Sequence, residues 1–273
     1  MTTSPATEFV PFRLPTGEPA WIPADVDLHV PDSAAVDRES LHFLTYIPWD
    51  DKYLALVPAE HRDFFRFVLP HLHARTTDVH VANCLSLARD IIDGYGQPLD
   101  ERVVYTAFIL HDSGWSQMSE QEIANSLGVA GLALNATAAS PKIRHVELGM
   151  ELARRLLAEY PFEPALTPQQ VALILHAIQW HDRPQELAAL PDAPPTSLVM
   201  CDIDHLWSFT YLNFWQDTAR KGVDPRDYVR NLEQDLGDYL VTDAGRREAR
   251  RMLAERRADV ARWEEAVQPA PRA

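Results

Sequence analysis

An apolar run, Phe108-Ile-Leu, ends on two side chains of ligand type, His111 and Asp112, and Gly114 follows. An imidazole and a carboxylate together suit a divalent first-row metal such as Mn, Fe, Co or Zn. On a continuing helix the two neighbours would diverge by roughly 100°. A glycine just past the helix end gives the backbone room to turn and bring both onto one point. Standing alone, so short a pair reads more simply as a helix C-terminus, with the imidazole near the dipole's negative end and the acid in the turn.

Other helices carry matching residue types. The segment opening near Thr76 and Thr77, good N-cap types, runs toward Gly94, a plausible stop. On it His80 shares a side with Cys84, Leu87 and Ile91. Asp100 caps the helix that ends at His111. Ser140-Pro141 opens a helix whose stripe is His145, Leu148, Leu152 and Leu156, so His145 faces the core. Thr167-Pro168 opens another, with His176 inside it and His181-Asp182 at its end before Pro184. Thr196 caps a helix from Leu198 to about Arg220. There Asp204 shares an apolar face with Met200, Trp207 and Tyr211, with Asp202 beside it; an ionised acid on such a face is costly unless paired or metal-bound. One buried histidine is usually a satisfied core residue. Ligand types repeated on successive core helices are how bundle metal sites are built.

The remaining chain frames these helices. Residues 1–57 are expected to be an N-terminal arm, proline-rich to about residue 40 and either extended, with Phe9, Phe12 and Trp21 to dock it, or simply disordered; 41–57 could be a short helix or strand. From Pro58 to Ala74 the pattern is helical, and the metal-binding helical domain is expected over 58–240. Ser119 with Glu122 forms a capping box for a short helix to Leu127, and 128–139 reads as a loop over the site entrance. Helices near Asp224–Leu240 and Thr242–Ala266 follow, the latter within a C-terminal helix and tail at 241–273. No strand signal is convincing and no internal repeat is visible, so the expectation is one all-α bundle.

The 273 residues are 46% hydrophobic and 24% charged, an ordinary globular balance. A net charge of −15, from 40 acidic and 25 basic residues, argues against nucleic acid or an anionic membrane as main partner. Self-association into a homo-oligomer stays open. Cys84 and Cys201 lie in apolar helical patterns and read as buried free thiols. With no apolar span of roughly 20 residues and no secretory leader pattern, a cytoplasmic protein is the expectation.

The order His, His-Asp, Asp on a helical chain resembles the HD superfamily of metal-dependent phosphohydrolases over roughly residues 75–215. Ile109-Leu-His111-Asp112-Ser-Gly114 is similar to its apolar-apolar-His-Asp-x-Gly segment, and Asp202-Ile-Asp204-His-Leu206 to its closing Asp-x-Asp-x-Leu. In that segment the second acid is commonly the ligand, which favours Asp204 over Asp202. His145-Val-Glu-Leu-Gly149 resembles the His-x-x-x-Gly of two-metal members. His176 or His181 stands where those members place a further histidine; His176, mid-helix, is preferred. The resemblance implies one ion on His80, His111, Asp112 and Asp204, with Asp112 bridging to a second on His145 and His176. It implies two divalent ions, from Fe, Mn, Co or Mg, polarising a phosphoryl oxygen and activating a hydroxide. His111 and Asp112 would then be the catalytic pair. Lys142, Arg144 and Arg183 flank ligand positions and could grip a phosphate, unless they are solvated surface charges.

One position departs from the pattern. Some two-metal groups carry Lys directly after the glycine; here it is Trp115, which suggests a less charged pocket or one that recognises an organic group. Three functions follow: hydrolysis of a small-molecule or nucleotide phosphate ester, oxidation by a mixed-valent di-iron centre on a small polar substrate, or a non-catalytic HD binding module. The filled ligand positions weigh against the last.

Overall fold

The structure is a computed structural model and describes residues 7–13, 19–28, 47–119, 122–123, 126 and 141–267. Among these the chain is all-α apart from one two-stranded hairpin. The principal helices are α1 (Arg62–Val68), α2 (Thr77–Tyr95), α3 (Glu101–Leu110), α4 (Pro141–Glu159), α5 (Pro168–Trp180), α6 (Pro184–Ala188), α7 (Pro195–His205), α8 (Tyr211–Lys221), α9 (Pro225–Asp238) and α10 (Asp243–Val267).

Helix α3 is the hub. Every residue from Val103 to Leu110 is buried, as expected of a segment apolar on all sides. It packs against α2, α5 and α7, and α5 lies against α4 and α7. Asp100 starts it by accepting from the Val103 amide, and the Thr167 hydroxyl with Gln170 forms a complete capping box on α5. Asp224 caps α9 in the same way. These starts agree with the sequence.

Several boundaries do not. The stretch Pro58–Ala74 is not one helix: α1 is flanked by 3-10 turns at Ala59–His61 and Leu69–His71. Helix α2 runs past Gly94 and stops at Gly96, whose φ of 74° is the left-handed cap glycine tolerates. Thr76 makes no side-chain cap bond; it and Arg75 take left-handed backbone, φ 65° and 60°. The helix expected from Leu198 to Arg220 is two, separated by a 3-10 turn at Leu206–Phe209. Thr210 causes the break: its backbone is extended and its hydroxyl accepts from the Asn213 amide, restarting the chain as α8.

The arm also departs from expectation. Phe9–Arg13 (β1) and Pro19–Pro23 (β2) pair antiparallel, Pro11 opposite Trp21. Phe9 meets Trp215 of α8 edge to face at 5.7 Å, and the Tyr211 hydroxyl donates to Asp25. Docking on α8 thus stabilises a pair too short to stand alone. Among the described residues both cysteines are free and buried, and no helix is long and apolar enough to cross a membrane. The capping box of Ser119 and Glu122 is formed. The rest of that short helix and the loop 128–139 lie largely outside the described residues.

Candidate metal centre

Four helices converge where α3 ends. His80 comes from the first turn of α2, His111 and Asp112 from the end of α3, His145 from α4, His181 from the end of α5 and Asp204 from α7. His111, His145 and His181 are fully buried, His80 and Asp112 nearly so.

Asp112 is the hinge of the arrangement. Its Oδ2 lies 3.5 Å from His80 Nδ1 and 3.6 Å from His111 Nε2. Its Oδ1 lies 3.2 Å from His145 Nε2 and 3.5 Å from His181 Nε2. The carboxylate thus faces one pair of imidazoles with each oxygen. Asp204 Oδ1 closes the first half, 3.1 Å from His80 Nε2 and 3.2 Å from His111 Nε2. An ion bonded at 2.0–2.2 Å sets neighbouring donors roughly 3.0–3.5 Å apart, so these separations suit cations, with His80 turning Nδ1 to Asp112 and Nε2 to Asp204 and thus offering one nitrogen to each acid.

The tautomers agree. His111 Nδ1 donates to the Phe108 carbonyl and His181 Nδ1 to the Ile178 carbonyl, both at 2.7 Å. Each thereby turns Nε2 to the cluster, where a cation could take the place of its proton, the usual outer support of a ligating histidine. His145 is fixed differently: Trp115 stacks on its ring at 4.1 Å with the planes 11° apart. Its Nε2 comes within 3.1 Å of His181 Nε2, so the two cannot both hold a proton there.

Charge tells the same story. Burial alone would raise the Asp112 carboxyl, but His111, His145, His181 and His80 outweigh it and hold the acid well below the usual range. Asp204 is likewise pushed up by burial and drawn well down by His111 and His80. Burial should lower His181, yet Asp112, Asp182 and Asp204 lift it to about 9. A buried knot of acids draws positive charge, and clustered donors of this set fit divalent metal.

The close approach of α4 depends on glycine. Gly114 does not supply a left-handed turn; among the described residues positive φ in glycine occurs only at Gly96 and Gly222. His111 and Asp112 turn on their own, at φ −56° and −100°. Gly114 is needed for contact: a Cβ there would sit 1.9 Å from the His145 carbonyl oxygen and 2.6 Å from the Gly149 amide. The 3-10 turn Ser113–Gln117 therefore lies backbone to backbone on α4, which sets His145 beside Asp112.

Two expectations need correction, those for His176 and Trp115, whereas of the two acids the favoured Asp204 is the one in the cluster. His176 is outside the cluster; its Nδ1 bonds the Ser197 hydroxyl at 2.8 Å, and His181, one helix turn and more further on, turns inward instead. Asp202 faces away from Asp204, accepting from the Val241 and Thr242 amides and the Thr242 hydroxyl, where it anchors the start of α10. Trp115 does not line the cleft on the cluster; it is buried behind the His and Asp side chains and donates Nε1–H to Asp112 Oδ1 at 3.0 Å.

A cleft of about 410 Å3 opens on the cluster, lined among others by His80, Asp112, Asp182, Asp204 and Trp207. Of the three expected phosphate grips, Lys142 lines it and pairs with Asp182 at 3.4 Å. Arg144 is engaged with Glu122, and Arg183 lies over Trp180 and bonds the Gln179 carbonyl. Sequence reasoning missed Arg75. Its guanidinium lies over the Trp115 ring at 4.4 Å and reaches to 4.0 Å from Asp112 Oδ2, lining the cleft. It sits in a non-periodic turn, so nothing in the pattern marks it.

Residues 77–208 match the family model of the HD domain. That stretch, just under half of the chain, carries an HD domain. The matched stretch begins with α2 and ends just after α7, so it contains every residue of the cluster. No curated protein and no solved structure gave a match. The HD domain is typical of metal-dependent hydrolases, and its clustered His and Asp side chains here suit a divalent metal.

Proposed function

We propose that this HD-domain protein is a metal-dependent phosphohydrolase acting on a small-molecule or nucleotide phosphate ester. The observation that carries the reading is Asp112, its two oxygens divided between two histidine pairs, as a carboxylate bridging two ions requires. His80, His111, Asp112 and Asp204 would hold one ion, and Asp112, His145 and His181 the other. Two divalent ions there would supply Lewis acidity toward a phosphoryl oxygen and an activated water.

The protein's own groups do the rest. Arg75 and Lys142, on the cleft wall beside the cluster, bind and orient the phosphate. Trp207, stacked on His80 at 5.1 Å, forms an apolar wall for the ester's organic half. The cleft lining carries five carboxylates and four Lys or Arg side chains, one net negative charge; two divalent ions reverse it to three positive. A loaded cleft of that sign draws an anionic small molecule, whereas the acidic surface repels nucleic acid. Two buried free thiols fit a reducing cytoplasm.

The test is phosphate release from a panel of phosphomonoesters by protein loaded with Mn, Co, Fe or Mg. Turnover abolished by chelation and by Asp112→Ala, with loss of bound metal in that variant, is the expected outcome. Silence across the panel with every metal, or an active Asp112→Ala, would sink the reading.

A second reading has its own observation. Asp112 with either histidine pair offers two imidazoles and one carboxylate oxygen, the donor set of non-haem iron oxygenases, to which Asp204 adds a second acid on one side. A mixed-valent electron paramagnetic resonance signal, with about two irons per chain after anaerobic purification, would select oxidation of a small polar substrate instead.

A further inference from the structure

The two halves of the cluster differ in one respect. Each has two imidazoles and one oxygen of Asp112, but the first also has a terminal acid, Asp204. On the second side Asp182 holds the corresponding place. Its Oδ2 lies 3.6 Å from His145 Nε2 and 3.9 Å from His181 Nε2. Donors sharing an ion at 2.0–2.2 Å stand roughly 3 to 4 Å apart, depending on whether they are adjacent or opposite.

The geometry points to Asp182 as a fourth protein donor to the second metal ion, the counterpart of Asp204 on the first. The inference rests on the metal-centre reading above and extends it.

Local structure supports it. His181-Asp182 ends α5 as His111-Asp112 ends α3. The two histidines have nearly the same backbone, φ −56° with ψ −38° and −40°, and each gives its Nδ1 proton to the carbonyl three residues back. One turn, used twice, aims two His-Asp pairs at one pocket. Electrostatics supports it too. Donor atoms of Asp182, Asp204 and His205 lie within 4.8 Å of one another, and carboxylates that close repel unless positive charge sits between them. Lys142 pairs with Oδ1 at 3.4 Å and is itself half exposed, while Oδ2 is the oxygen that faces the imidazoles. A surface ion pair would not need its acid turned inward to 17% side-chain exposure.

With Asp182 counted, both ions have two imidazoles, a share of Asp112 and a carboxylate of their own. Both should then be held with similar tenacity, so that gentle purification does not strip one.

The test is metal content per chain and Mn2+ titration calorimetry on wild type, Asp182→Asn, Asp182→Ala and Lys142→Ala, with circular dichroism to follow folding. Wild type and Lys142→Ala should hold two Mn2+ ions and give a spin-coupled Mn2+ pair signal. Both Asp182 variants should hold one ion firmly, bind the second at least about 10-fold more weakly, and lose the coupled signal. Two ions held as tightly by folded Asp182→Asn or Asp182→Ala as by wild type would make Asp182 merely the partner of Lys142 and overturn the inference alone. A wild type that binds no ion overturns the metal-centre reading with it.

Discussion

Trp115 shows how much a site depends on what stands behind it. Its ring is held between Arg75 on one side and His145 on the other, and its Nε1–H is spent on Asp112 Oδ1. Replacing it by Phe keeps the stacking and removes the hydrogen bond. Trp115→Phe is expected to fold normally and lose about 10- to 100-fold in affinity for the second ion, the usual cost of losing an outer partner of a ligand; calorimetric Mn2+ titration checks it, and an unchanged affinity would show that the indole proton is idle. At this scale the sequence was a good guide to which residues meet and a poor one to direction. His80, His111, Asp112, His145 and Asp204 lie on apolar faces or at the end of an apolar run, and burial brought them together. His176 also lies inside an apolar pattern, and periodicity cannot distinguish it from His181 at the helix end. A signal was there: the His-Asp pair at 111–112 recurs at 181–182.

Elements place these side chains by how closely their backbones approach. The contact of Gly114 with His145 and Gly149 leaves no space for a methyl group. Gly114→Ala is expected to push α4 away from the 3-10 turn, cost about 3 kcal/mol of stability, and remove the second ion while His80, His111 and Asp204 still hold the first. Chemical denaturation and metal content would report both effects; a variant as stable as wild type with both ions bound would contradict the account of this crossing. The glycine was visible in the sequence, but its task was not, because a non-local approach leaves no periodic trace. Caps that bond within three residues, at Asp100 and Thr167, were legible for the opposite reason, although Thr196, expected as a cap, lies inside α7, which begins at Pro195 without a side-chain cap. The left-handed pair Arg75–Thr76 was not. Its φ values are unfavourable for branched and bulky residues, and the fold around it imposes them, including the Gln216 amide that donates to the Thr76 hydroxyl.

Across the molecule, the cleft reaches from the metal centre to a second charged group on α8. Asp217 is buried and pairs with Arg220, with Lys221 at 2.7 Å and with the Tyr228 hydroxyl at 2.6 Å. Burial raises this acid, but Arg220, Lys221 and Tyr228 more than compensate and bring it to about 2. A lowered folded value means stability that is present above the unfolded value, near 4, and is lost as pH falls toward 2. Asp217→Asn should lower stability near neutral pH by about 3 kcal/mol and flatten the loss between about pH 4 and 2; urea denaturation of both proteins at stepped pH measures it, and parallel curves would exclude this linkage. The all-helical plan was readable because long amphipathic stretches dominate the chain. The hairpin was hidden, since Pro11, Pro19 and Pro23 interrupt any strand pattern and its stability comes from packing on α8.

Helix α7 has two occupations. Asp204 on one side faces the histidines, and Asp202, two positions earlier, ties down the start of α10, with Gly245 kept bare because a Cβ would stand 2.3 Å from that carboxylate. The last helix lies outside the matched stretch, yet it is fastened to the same short rod that reaches the histidine cluster. Whatever steadies that rod from one end steadies it from the other: a filled centre resists peeling of the carboxyl-terminal helix, and a loosened tail makes the centre easier to empty.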